Sequence, residues 1–168
     1  MPTTTQVDSV NTAIALDLSG LAASSTWTAG VTSDQIQNTQ GYVDALVTML
    51  PVTATATVVG QTLNVYVAGQ NVPFTTNPIT VAGMIDGGAG AANLVNVSSL
   101  NSLRFVGSAG ATALTALPYF VEPFSIAQQF GGVMPKYWAL FVSHNLGTAL
   151  AAGMNNLFSF NGVTYSTV

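Results

Sequence analysis

Few residues in this chain could do chemistry. The only histidine is His144, the acids are Asp8, Asp17, Asp34, Asp44, Asp86 and Glu122, and there is no cysteine. One imidazole without thiols or a second histidine cannot assemble a zinc site. Ser143 adjoins His144, but successive side chains on a strand face opposite ways, so the two do not form a nucleophile–base pair. His144 therefore reads as a structural or surface residue. No two acids stand close in the chain; a pair for glycoside hydrolysis could meet in space, yet nothing marks a cleft around them. Calcium needs several oxygen ligands. Asp34 with Asn38, or Asp86 with nearby carbonyls, could supply some, and solvated loop acids are the simpler reading. Gly87-Gly88-Ala89-Gly90 lacks the Gly-Lys-Ser/Thr ending and following helix of a phosphate loop, so it reads as a turn. Trp27, Tyr42, Tyr66, Tyr119 and Tyr137 could form a platform for stacking sugars, although aromatics of sandwich strands more often fill cores. No catalytic residue, cofactor or metal is expected, and the chain is not expected to be an enzyme.

Composition narrows the partners. Only 5 % of residues are charged and 49 % are apolar, against about 25 % charged in ordinary globular domains. The surface must then be built from Thr, Ser, Asn, Gln, Gly and small apolar side chains. Such a surface repels its own copies weakly and suits a protein packed against neighbours. Two cations, Arg104 and Lys136, under a net charge of −4 cannot neutralise a phosphate backbone, so no nucleic-acid partner is expected. No apolar run is long enough for a transmembrane helix, and MPTTTQVDSV has neither the basic region nor the apolar core of a signal peptide; no membrane partner is expected.

The elements that position these residues read as strands. The pivotal stretch is Leu117 to Asn145. Tyr119 to Gln128 alternates, with Phe120, Phe124 and Ile126 on one parity, and Pro123 makes it bulged or an edge. Gln129-Phe130-Gly131-Gly132 breaks the pattern, and Lys136 to His144 is a nearly continuous apolar run. Such a run suits a strand covered on both faces, with Trp138 in the core between sheets. Asn145-Leu146-Gly147 closes it as a turn. Upstream, Ala13 to Leu18 alternates, Thr32-Ser33-Asp34 could cap a helical turn or Ser33 and Asp34 could open a loop, and Tyr42 to Leu50 is a strand stopped by Pro51. Val52 to Val59 has a strict period of two, and Gly60-Gln61 connects it to Thr62 to Ala68, as in a hairpin. Leu63, Val65 and Val67 fall on one face of that second strand, Asn64 and Tyr66 on the other. Residues 71–78 are turn-rich, 79–85 could be a strand, 103–106 is a short strand and 108–116 a loop of small residues. No window shows sustained helical spacing. Residues 1–11 are polar and without period and read as a flexible arm; 12–168 read as a single domain. The fold class is all-β, a two-sheet antiparallel β-sandwich. Trp138, Phe124, Phe130 and Tyr66 are its expected core organisers.

Pro123, Phe124, Phe130, Gly131, Gly132, Pro135, Trp138, Asn145, Gly147, Ala149 and Leu150 together resemble the C-terminal half of small β-sandwich capsid decoration, or cement, proteins of tailed bacteriophages. Phe160-Asn161-Gly162-Val163-Thr164-Tyr165 is similar to that family's closing hairpin. The resemblance covers roughly the last third of the chain. It implies a jelly-roll order and a structural virion protein, made in the host cytoplasm and seated on the outer capsid surface. The implied partners are the major capsid protein and neighbouring copies of the chain, as a homo-oligomer or lattice-bound unit. Thr3, Thr4, Thr5, Gln6 and Val7 of the arm are the expected partner contacts. The rival reading is a carbohydrate-binding β-sandwich of a phage fibre or tail used in host adsorption.

Overall fold

A computed structural model describes residues 4–54, 58–76, 90–93, 103–111, 118–154 and 157–167. Two antiparallel sheets face one another. The first contains β1 (Thr4–Asp8), β2 (Thr12–Ile14), β5 (Asp44–Met49), β11 (Phe124–Ser125) and β13 (Phe158–Thr167). Its order is β1-β13-β5-β11, with β2 also on β13. The second contains β3 (Ala29–Thr32), β4 (Ile36–Gln37), β7 (Thr62–Gln70), β8 (Gly90–Asn93), β9 (Arg104–Gly110) and β12 (Tyr137–His144). Its order is β8-β3-β12-β7-β9, with β4 also on β12. β6 (Val52–Thr53) and β10 (Pro118–Tyr119) form a small ribbon of their own.

Counting β1 and β2 as one interrupted first strand and setting aside β4, β6, β8 and β10, eight principal strands remain among the described residues. The first sheet then runs first, eighth, third, sixth, and the second runs second, seventh, fourth, fifth. Successive strands alternate between sheets except the fourth and fifth, which is the double Greek key of a jelly roll.

β12 is buried at every residue, as its apolar run requires. Trp138, Leu140 and Val142 face inward with Leu63, Val65 and Val67 of β7, against Val47, Met49, Phe158 and Phe160 of the first sheet. Trp138 is fully buried and meets the Phe160 ring edge-on, 5.4 Å between centroids. The other face of the second sheet carries a separate cluster of Tyr66, Ala68, Tyr137, Ala139 and Phe141 with Phe74 and Leu103. Tyr66 therefore organises this outer cluster and not the space between sheets. Phe124 and Phe130 pack partly buried at the margin of the main core. Phe130 rests on Gly69, where a Cβ would stand 2.5 Å from its ring.

Several local expectations change. The described residues of the stretch from Val52 do not pair with β7: β6 pairs with β10, while β7 lies between β12 and β9. Gly60, at φ 83, sits in a turn closed by Gln61 N–H on Val58 O, and that turn leads into β7 of the second sheet. Alternation specifies a strand and its faces, not its neighbour. The alternating run at 119–128 breaks into β10, β11 and one helical turn, α1 (Ile126–Gln129). Ser125 caps that turn by accepting from Gln128 N–H at 2.9 Å, and Asp44 Oδ1 accepts from Ala127 N–H at 2.8 Å. Among the described strands, Pro123 precedes an edge strand, since β11 pairs there only with β5. The alternation at 13–18 yields only the short β2, and β9 runs on to Gly110 through residues read as loop. Ser33 caps no helix; its hydroxyl accepts from Leu140 N–H and donates to Asp34 O. Phe160 to Tyr165 is no hairpin but the middle of the ten-residue β13. The strand proposed for 79–85, residues 87–89 of the glycine run, and Thr3 lie outside the described residues.

The arm also changes. Thr4–Asp8 pairs residue by residue with Val163–Thr167, from Thr4 opposite Thr167 to Asp8 opposite Val163. The register shifts by one before β2, where Thr12 faces Phe160. Ser9 holds the junction: its N–H donates to Gly162 O at 2.7 Å and its hydroxyl accepts from Gly162 N–H at 2.8 Å. All five residues of β1 are exposed, so backbone pairing rather than burial forms the strand, and no hydrophobic period announces it.

Candidate functional site

Among the described residues, no three of the side chains singled out as metal ligands gather. His144 is completely buried at the end of β12. Its Nε2 donates to Leu21 O at 2.8 Å, and its Nδ1 accepts from Leu146 N–H at 3.3 Å. Both ring nitrogens are thus spent on tying two loops at one end of the sandwich, and the ring is held neutral. Ser143 points the other way and donates to Ala29 O at 2.6 Å. Burial holds the His144 pKa below its ordinary 6.5, partly offset by the Leu21 carbonyl. The sign follows. Below pH 6.5 the unfolded chain takes up a proton that the folded chain refuses, so the stability present above 6.5 falls as pH drops toward the folded value. We expect the melting temperature to decline below about pH 6.5, and His144→Gln to remove that part of the slope. A flat profile from pH 7.5 to 5 in thermal denaturation would contradict it.

No metal centre forms among the described residues: no three His, Cys, Asp or Glu side chains gather. Asn38 is occupied by a mutual pair of hydrogen bonds with the Tyr42 backbone, both 2.8 Å. The five aromatics do not make a sugar platform. Tyr66, Tyr119 and Tyr137 are buried, Tyr42 covers Gly162, and Trp27 is half-buried in a loop in the left-handed region at φ 62.

What the fold does expose is the outer face of the first sheet. On β5, Ala45, Val47 and Met49 turn inward, leaving Leu46, Thr48 and then Leu50 in solvent. Cross-strand register brings Ser159 beside Thr48 and Asn161 beside Leu46. Farther along β13, Tyr165 lies beside Gln6 of β1. Leu46 is 41 %, Leu50 57 % and Tyr165 60 % exposed. This face mixes hydroxyls, amides and large apolar groups, with Asp8 and Asp44 as its acids at the β1 and β5 ends. Four of the five expected partner contacts, Thr4, Thr5, Gln6 and Val7, lie on β1 at its margin, and among the described residues β1 pairs only with β13. Sequence reasoning missed Leu46, Leu50 and Tyr165. Both parities of residues 45–50 are largely apolar, which in hindsight is the mark of a strand whose second face is also unsuited to water. No family model, curated protein or solved structure matches this chain.

Proposed function

We propose that this protein is a structural, non-enzymatic component of a bacteriophage head, a decoration protein that binds the outer surface of the capsid and bridges major capsid subunits. The observation that carries the reading is the outer face of the five-stranded sheet, where Leu46, Leu50 and Tyr165 stand exposed among Thr, Ser and Asn. The burial of Tyr66, Tyr119 and Tyr137 supports it over the sugar-platform alternative. The jelly-roll order agrees with what the resemblance implies, though a fold alone assigns no role. Docking would proceed by apolar burial, about 25 cal/mol per Å² before association costs, together with hydrogen bonds from uncharged groups. Repetition over a shell, beside neighbouring copies of the same chain, adds avidity. The exposed edge of β1 is the second contact, since an unpaired strand edge can accept backbone hydrogen bonds from a partner.

Contacts of this kind are barely screened by salt. Purified particles should retain the protein near 1 M salt, where the screening length is about 3 Å. Removing residues 1–8 should weaken attachment while lowering the free domain's melting temperature by no more than about 2–4 °C, because β1 buries no side chain. Steep release of full-length protein between low and high salt would refute uncharged docking. Unchanged attachment of the shortened protein would remove β1 from the contact.

A further inference from the structure

The flank of the sandwich carries a cleft of about 590 Å³ that docking through the outer face does not use. Among the described strands, β9 and β11 end their respective sheets, and the cleft lies between β9, the 120–124 segment and α1. Its volume falls within the usual range for small-ligand sites, about 300–1,000 Å³. The base is firm. Val121 is buried, its N–H donates to Met49 Sδ at 3.5 Å, and its methyl group would stand 2.8 Å from a Cβ at Gly107.

Phe120 stands 52 % exposed between two buried neighbours, Tyr119 and Val121. Folding therefore fixes an aromatic ring in water from both sides of its backbone. Around it the cleft offers one carboxylate, Glu122, two carboxamides, Gln128 and Gln129, and one hydroxyl, Ser108. In a chain with six acids and 5 % charged residues, that is a dense set of hydrogen-bonding groups beside an exposed ring. No cation lines the cleft among the described residues, so a phosphate, sulfate or carboxylate ligand would meet Glu122 unneutralised.

We propose that this cleft binds a neutral saccharide. The apolar face of a pyranose ring stacks on Phe120, its hydroxyls donate to the Glu122 carboxylate, and Gln128 and Gln129 both donate and accept. Large apolar contact combined with a few placed polar groups is the general composition of such sites.

The test is titration calorimetry with amide NMR shifts on the full chain, using maltohexaose, cellohexaose and N-acetylchitohexaose as probes and oligogalacturonate as the anionic counterpart. At least one neutral probe should bind with a millimolar or tighter Kd, shifting amides of 107–108 and 120–129, and the galacturonate should not. Phe120→Ala should weaken binding by about tenfold or more, as expected for loss of a stacking ring. Glu122→Ala, at an exposed side chain, should weaken it comparably and keeps the test independent of any effect of Phe120 on folding. Val133→Ala, exposed and outside the cleft, should change nothing. Absence of binding to all three neutral probes, equal binding of galacturonate, or binding indifferent to both cleft variants would overturn the proposal.

Discussion

Trp138→Ala should destabilise the protein by about 3–5 kcal/mol, the range for deleting a core aromatic. Three observations set that size. The side chain has no exposed surface. It sits mid-sandwich, with Ile36 and Gly69 as its neighbours across β4 and β7. Its ring meets Phe160 of the opposite sheet at 81°, an edge-to-face contact that joins the two sheets directly. The cavity cannot collapse cheaply, because β12 is flanked on both sides and buried on both faces. Denaturant titration measures the loss; a value under about 1 kcal/mol would mean that Trp138 is not a core residue.

Gly162→Ala should cost about 1–3 kcal/mol, the usual range for forcing extra volume into a filled site. The cause is Tyr42. A Cβ at 162 would run into the Tyr42 ring, which lies flat over this glycine. Backbone strain plays no part, because Gly162 lies within β13 and is not among the positive-φ glycines. A double-mutant cycle separates the two causes. Tyr42→Ala should abolish most of the penalty of Gly162→Ala, so that the pair costs less than the sum of its members. Asn38 holds the Tyr42 backbone and not its ring, so the loop survives the truncation. Strict additivity would sink the steric account and return Asn161-Gly162 to the turn that its composition suggests.

That pair of residues shows where local signals stop. Asn-Gly is among the strongest hairpin signatures, yet here it continues a strand, because β1, β2 and β5 all pair with β13 around it. The glycine answers a distant tyrosine. Ser125 is a similar case: Ser125-x-x-Gln128 has the spacing of a capping box inside an alternating run, but the carboxylate that holds the turn comes from Asp44, far away in the chain. β1 was invisible because none of its side chains is buried, so its formation left no pattern in residue type.

What the sequence determined by itself were properties that one segment carries alone. The period of two in 62–68 put Leu63, Val65 and Val67 on one face, and all three are buried in the main core. The unbroken apolar run of 137–142 required cover on both faces, and β12 has it. Tertiary structure alone decided which strand lies beside which, sending Val52 to Tyr119 and setting β7 between β12 and β9. It alone also left Leu46 and Leu50 on the outside while Val47 and Met49 went in, and held Phe120 out over a cleft. The physical reason is the same throughout: a strand's hydrogen-bonding edges are identical for every sequence, so periodicity can say that a segment is extended and which side it hides. Only long-range closure of the two sheets selects its neighbours.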